Sequence, residues 1–204
     1  FGFNYGDPSD GTVQMFLHEH WWRWFNRKTS FFDTEFFYPF DRAFGYSDVF
    51  FVQGPLHSFF RLLGFDISRS WTFTTLICLL IGNLGWSFLS FKFFNSNLAR
   101  IFFVLTICST SSFVGYFASE PNIAGYTWIS YILLLILKIR YYFIENKELE
   151  FNRYLGLLLL ILTIYALSCW YAAFFSVLMG VIVLFILIIF EYSNVIQIII
   201  KIFQ

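Results

Sequence analysis

Long apolar runs without charged residues fill the chain from residue 71 to residue 204, and they restrict its fold more than any other feature. Such a run crosses the hydrocarbon core of a bilayer as a helix when it reaches roughly 17–25 residues. Only 13% of the residues are charged, against roughly a quarter in an average soluble domain. We therefore predict an all-α polytopic membrane bundle of about five to six spans. The predicted spans cover about residues 71–91, 101–118, 123–139, 154–169 and 172–190, with another beginning at 195.

The charges at the joins between these runs predict the orientation of the bundle. Basic residues mark the first and third joins, namely Lys92, Arg100, Lys138, Arg140, Lys147 and Arg153. The joins at 119–122 and 168–171 contain neither Lys nor Arg. Because short positive loops stay in the cytoplasm, we expect residues 1–70 and Glu120 to lie on the outer face. The formal net charge is zero, and nothing indicates binding of nucleic acid.

Residues 1–70 are predicted to form an outer-face region that carries two interfacial amphipathic helices. Apolar residues recur at helical spacing from residue 11 to residue 26, but this segment is too polar to span a membrane. A second short helix is predicted within residues 49–66, beginning near Pro55 and ending at Gly64. Since the chain does not begin with Met and ends inside an apolar run, we expect further spans on both sides.

The outer-face region gathers most of the candidate chemistry. Asp7 follows Gly6 in a turn-rich loop, where a carboxylate can act as a general base toward an incoming hydroxyl. It can equally bind its own backbone beside Pro8, and spacing alone slightly favours this turn. Asp10 fits the N-cap of the first helix. Seven carboxylates crowd into residues 6–48: Asp7, Asp10, Glu19, Asp33, Glu35, Asp41 and Asp48.

Glu19 and His20 are neighbours in the first helix, so their side chains point about 100 degrees apart and cannot easily share one ligand. The sequence H-E-H at 18–20 also lacks the spacing of the zinc motif H-E-x-x-H. Either side chain can face the adjoining loop or lie on an exposed helix surface. The three cysteines all fall in apolar runs and predict neither a disulfide framework nor a metal cluster.

Carboxylates alternate with aromatic residues from residue 33 to Asp48. Carboxylates accept hydrogen bonds from sugar hydroxyls and aromatic rings stack on the apolar faces of sugars, so this mixture suits a carbohydrate or a lipid headgroup. It equally suits an aromatic belt at the membrane interface with solvated acids between the rings.

Four motifs together resemble the first outer-face loop of bacterial GT-C glycosyltransferases. They are GDPSDG at 6–11, EH with WRW at 19–24, F-F-x-x-x-F-F-Y-P at 31–39 and AFGYSD at 43–48. These multispan enzymes take a sugar from a polyprenyl-phosphate carrier, and YfhO-like and mannosyltransferase-like membrane proteins are relatives. The resemblance covers residues 6–70. Beyond them it rests on helix number, orientation and the outer hairpin SCWYAAFF.

The resemblance implies a role for each matched residue. Asp7 would be the catalytic base that activates the acceptor hydroxyl, while Glu19, His20 and Asp48 would line or brace the substrate site. Glu120 falls where many members place a second acidic loop, and Asp10 is a further candidate for substrate binding. Arg42 or Arg61 would hold the phosphate of the donor, although each can equally be a surface charge. Members of the family differ in their need for a divalent metal such as Mg or Mn, and the chain lacks a D-x-D or E-x-D motif.

The leading hypothesis is a glycosyltransferase of the bacterial plasma membrane. It would move a sugar from a polyprenyl-phosphate donor to a glycan or lipid acceptor on the outer face. One alternative is a lipid or glycan transporter or flippase, but the predicted spans carry no Asp, Glu, Lys or Arg at their centres, which argues against ion coupling. The other is a non-catalytic membrane assembly subunit, which dispersed acids in residues 7–48 would favour.

Overall fold

The computed structural model describes residues 10–34, 40, 42, 44, 48–109, 126–169, 173–178 and 180–182. Within these ranges the regular structure is helical, and no strand is present. The helices are α1 (Asp10–Phe25), α2 (Gln53–Leu62), α3 (Ile67–Phe93), α4 (Asn97–Ser109), α5 (Tyr126–Ile144), α6 (Glu148–Ser168) and α7 (Ala173–Ile182).

Helix α1 ends in a left-handed turn. It is held by the segment between α1 and α2, residues 26–52, called the aromatic loop. The N–H of Arg27, at φ +56°, donates to Trp24 O, and Lys28 N–H donates to Arg23 O. A left-handed residue at this position satisfies the last carbonyls of a helix. The buried core of this region packs α1 against the loop through Leu17, Trp21, Phe44 and Phe50.

Helix α2 buries polar side chains and exposes part of its apolar surface. Its buried residues include Gln53, His57 and Ser58 together with Phe60, whereas Phe59 and Leu62 are exposed. The helix ends two residues before Gly64, whose φ of +88° favours glycine. An apolar face turned away from the protein is the pattern of a helix that lies in a membrane interface.

Helix α3 begins where Asp66 caps it, because the Asp66 carboxylate accepts a hydrogen bond from Arg69 N at 2.8 Å. The helix has 27 residues and is therefore about 40 Å long, which exceeds the roughly 30 Å of a bilayer core. One face of it is an exposed stripe at helical spacing: Phe73, Leu76, Leu80, Leu84, Phe88 and Phe91.

Among the described residues, two helices, α3 and α6, are long and apolar enough to cross a membrane. Their most apolar windows are only 28% and 17% buried. A core helix of a soluble protein is instead mostly covered by other side chains, so exposed apolar surface of this kind requires another apolar environment. The described segments of α4 and α7 are shorter apolar helices.

The helices form a chain of contacts in which α3 is central. Helices α1 and α2 pack on each other and on α3, which also packs on α4 and α5, while α5 packs on α6. A β-carbon at Gly85 of α3 would overlap the Ser130 hydroxyl and the Tyr131 ring of α5. Tyr131 OH also donates to Ile81 O at 2.7 Å. The missing side chain at Gly85 thus lets α3 and α5 approach closely.

The predicted helix boundaries are close to the observed ones in both short helices. The first helix was expected at 11–26 and occupies Asp10–Phe25; the second was expected near Pro55 and begins at Gln53. Helices α3, α5 and α6 extend beyond the predicted spans into charged residues. Apolar windows mark where a helix can be buried in lipid, whereas hydrogen bonding continues past the last apolar residue.

Candidate functional site

Glu19 of α1 is bound by two side chains of α2. His57 Nε2 donates to Glu19 Oε2 at 3.0 Å, and Arg61 Nη2 donates to Glu19 Oε1 at 3.2 Å. Arg61 Nε lies 3.0 Å from Oε2 as an ionic contact. The three side chains are 15%, 0% and 22% exposed for Glu19, His57 and Arg61, so this ion pair is shielded from most of the solvent.

His57 and Arg61 reach the same carboxylate because they are four residues apart on one face of α2. Arg61 is held further by its own Nη1, which donates to Phe65 O at 2.7 Å, and by the Trp22 ring, 5.8 Å from its guanidinium carbon. Since a carboxylate can only accept, the shared proton lies on His57 Nε2. The other ring nitrogen, His57 Nδ1, is buried without a hydrogen-bond partner.

His18 lies beside this cluster at the junction of α1, α2 and α3. Its ring centroid is 4.6 Å from Phe50, 4.8 Å from Trp71 and 5.7 Å from His57. Both ring nitrogens are buried and have no hydrogen-bond partner. Burial lowers the pKa of His18 well below its ordinary value of 6.5, and the charge of His57 lowers this pKa further.

The loop before α2 is anchored tightly against α1. Trp21 Nε1 donates to Val49 O at 2.7 Å, and the next residue, Phe50, is buried at a φ of +54°. A left-handed backbone is unfavourable for a large aromatic residue and persists only where packing enforces it. Packing against His18 and Leu17 therefore outweighs the local strain.

The structure separates the predicted pair Glu19 and His20. His20 Nε2 lies 2.9 Å from Phe31 O, and the His20 ring contacts Phe44, whereas Glu19 points to α2. His20 therefore braces the aromatic loop. The two neighbouring side chains therefore contact different segments of the protein.

Of the other predicted site residues, Asp48 and Arg42 lie within the described part of the structure, and only the backbone of Asp10 does. Asp48 is buried at the start of the segment leading to α2. Arg42 is exposed at a φ of +56°, and its backbone N–H donates to Asp33 Oδ1 at 2.8 Å. The backbone of Asp10 begins α1, but its side chain lies outside the described part. Asp7 and Glu120 also lie outside the described residues.

The described residues contain no group of three or more His, Cys, Asp or Glu side chains that could hold a metal ion. Glu19 is already engaged by Arg61, and His18 has no carboxylate partner. The sequence matches no protein-family model, and no curated protein and no solved structure is detectably similar to it.

Sequence reasoning missed His57 and His18 as members of the site. The pattern H-x-x-x-R at 57–61 contained a usable signal, because it places two donors on one helix face opposite any carboxylate of α1. Nothing comparable marks His18. Its place among Phe50, Trp71 and His57 depends on contacts between three separate segments.

Proposed function

We propose that the chain is the outer-face and membrane part of a glycosyltransferase that uses a polyprenyl-phosphate sugar. The observation that carries the proposal is the Glu19–His57–Arg61 cluster. It joins the acid-bearing helix α1 to α2 beside the first turns of α3, a helix long enough to cross a membrane. Two short helices joined at the end of a span suit an enzyme whose donor is anchored in the bilayer.

The proposed topology has five to six spans in a bacterial plasma membrane, with residues 1–70 outside. The exposed apolar faces of α3 and α6 would contact lipid. The outward apolar face of α2, with Phe59 and Leu62 exposed, would lie in the outer interface. This arrangement would hold residues 7–48 at the depth of the donor's phosphate group.

The proposed reaction is direct displacement at the anomeric carbon. The acceptor hydroxyl would pass its proton to Asp7 while its oxygen forms the new glycosidic bond. The bond between the anomeric carbon and the phosphate oxygen would break, and the phosphate would leave with the electron pair. Arg42 is the better candidate to hold that phosphate, because Arg61 is already bound to Glu19 and Phe65.

In this scheme Glu19 and His20 are braces rather than reacting groups. Glu19 fixes α2 on α1, and His20 fixes the aromatic loop on α1. The buried position of Asp48 suits a third support below the loop. Asp10 and Glu120 would contribute further substrate contacts. A divalent Mg or Mn ion, where required, would be bound together with the donor's phosphate oxygens.

The proposal is tested by measuring sugar transfer from a polyprenyl-phosphate donor with the full-length protein in detergent or lipid. We expect Asp7→Asn to lower turnover by roughly 10²–10⁴-fold, since it removes the proton acceptor. Glu145→Gln is the control, because Glu145 is an exposed acid just after the end of α5, outside the outer-face region, and it should retain activity. Near-normal turnover by folded Asp7→Asn protein would refute the assignment of the base.

A second candidate is a non-catalytic assembly subunit that holds a partner through the outer-face region. It is favoured by the separate engagement of two of the described acids: Glu19 with α2, and Asp33 with the backbone of Arg42. Binding of a radiolabelled polyprenyl-phosphate sugar distinguishes the two functions. Saturable binding supports the enzyme, whereas its absence in a folded sample supports the assembly subunit.

A further inference from the structure

His18 is an ionisable residue for which the described structure provides no polar partner. It is 3% exposed, and neither ring nitrogen makes a hydrogen bond. An imidazole buried in this way is stable only in its neutral form, because a buried charge needs a counter-charge or hydrogen bonds. The other two histidines differ, since His20 is bonded to Phe31 O and His57 to Glu19.

The groups around His18 offer no compensation for a positive charge. From α2 it faces His57, and Arg61 lies behind the shared carboxylate of Glu19. From α3 it faces Trp71, which is uncharged; Asp66 and Arg69 at the start of α3 are exposed and paired with each other at 3.3 Å. From the loop it faces Phe50, two residues after the buried Asp48.

The carboxylate of Glu19 is already bound by other side chains. Glu19 accepts from His57 and Arg61 on both of its oxygens, and turning it toward His18 would leave the part-buried guanidinium unpaired. Proton uptake by His18 would also place a cation beside His57. The described charges therefore oppose protonation in the packed arrangement and permit it only where water reaches the ring.

We propose that His18 is an acid-sensitive latch: its protonation releases α1 and α2 from the first turns of α3. The latch acts where the three helices meet, and its release would uncover His57, Trp71 and the Glu19–Arg61 pair. It would make the outer-face region responsive to the pH outside the membrane. The side of the membrane whose pH is sensed rests on the proposed topology, whereas the latch itself depends only on the packing of α1, α2 and α3 and is independent of the reaction assigned above.

The direction of the effect follows from linkage. The pKa of His18 is lower in the packed protein than in water, so the packed state binds the proton less tightly than the open state. The stability contributed by neutral His18 is complete above about pH 6.5 and is lost as the pH falls toward the lower pKa of the packed state. In this window the open population should rise by up to about tenfold for each pH unit.

Hydrogen–deuterium exchange of the full chain in lipid nanodiscs tests the latch. Exchange is compared at pH 7.5 and pH 5.0 after correction for the intrinsic rates. We expect amides of α1, α2 and the first turn of α3 to lose protection by at least about tenfold at the lower pH. Amides of α5 and α6 serve as the internal control and should keep their protection.

Variants at His18 assign the effect to this residue. His18→Phe keeps an aromatic ring against Phe50 and Trp71 but cannot take up a proton, so its protection should not depend on pH. His18→Leu is a second variant in case the larger ring does not fit. His20→Gln is the matched control from the same helix and should retain the acid response of the unaltered protein.

Two results would overturn the proposal. One is equal protection of α1 and α2 in the unaltered protein at both pH values. The other is a folded His18→Phe or His18→Leu protein that loses protection on acidification as much as the unaltered protein does. A response abolished by His20→Gln and retained in the His18 variants would move the sensor to His20.

Discussion

Three consecutive residues of α1 take three separate roles because a helix turns by about 100 degrees per residue. His18 points into the junction with α2 and α3, Glu19 to the basic face of α2, and His20 to the aromatic loop. Each contact joins α1 to a different segment. The short sequence H-E-H thus holds α1 against three segments and lacks the spacing of the zinc-binding motif.

Replacing Glu19 tests how much its interactions with His57 and Arg61 stabilise the packing of α1 on α2. Glu19→Gln removes the charge that pairs with Arg61 and weakens the acceptor of His57, while His57 stays buried and Arg61 stays part-buried. We expect a loss of about 2 kcal/mol in the free energy of unfolding, as for a charged hydrogen bond lost at a shielded site. Thermal or denaturant unfolding in one fixed detergent measures it.

The control for this variant is Glu145→Gln, which changes an exposed carboxylate at the far end of α5. A substitution at an exposed position usually alters stability by no more than about 0.5 kcal/mol. Equal stability of the two variants would show that the Glu19 cluster contributes nothing beyond a surface charge.

At the scale of helices, the sequence predicts the helices themselves from their periodic apolar residues, but it does not predict the contacts between helices. The amphipathic pattern of 11–26 and the glycine at 64 locate α1 and the end of α2 within a few residues. The burial of polar side chains on α2 was harder to predict from the sequence. Gln53 and Ser58 are buried, but in the sequence they resemble residues of a solvent-facing side, because the packing of α1 and α3 against them is not visible there. Contacts across 38 and 42 residues unite Glu19 with His57 and Arg61, and no local pattern encodes such distances.

The close contact of α1 with α2 depends on one glycine. A β-carbon at Gly54 would overlap the Trp21 indole, whose position is fixed by its hydrogen bond to Val49 O. The absence of a side chain at position 54 therefore sets the distance at which Glu19 meets α2.

Gly54→Ala should force the two helices apart. Overpacking of this kind costs roughly 1–3 kcal/mol, and the separation should also weaken the Glu19–His57 contact. Gly156→Ala in α6 is the matched control, because a β-carbon there meets nothing within 4 Å and alanine is the better helix former. Unfolding midpoints of the two proteins should differ, with Gly54→Ala the lower. Equal midpoints would contradict the close packing of α1 and α2.

At the scale of the molecule, polar and apolar groups are distributed differently in the two regions. Buried histidines and the Glu19–Arg61 ion pair lie in α1 and α2, whereas α3 and α6 present exposed leucine and phenylalanine. Long apolar runs in the sequence mark the segments that form α3 and α6. The partners across helices, such as Gly85 with Ser130 and Tyr131, required the structure.

The proposed orientation places α1 and α2 outside and the join between α5 and α6 inside. The basic residues Lys138, Arg140, Lys147 and Arg153 surround that join, and they would resist transfer across the membrane. Two single-cysteine proteins test this, Asp33→Cys and Glu145→Cys, both at exposed positions. Each is made in a background in which Cys78, Cys108 and Cys169 are replaced by alanine.

Labelling of intact cells with a membrane-impermeant thiol reagent should modify Asp33→Cys and leave Glu145→Cys unmodified. After permeabilisation both should react, which controls for expression and exposure. The cysteine-free background should stay unlabelled in either condition. The opposite pattern would invert the topology and place Asp7 and Arg42 in the cytoplasm, where a polyprenyl-phosphate sugar on the outer face could not reach them. Labelling of both positions in intact cells would mean that an even number of crossings separates residue 33 from residue 145.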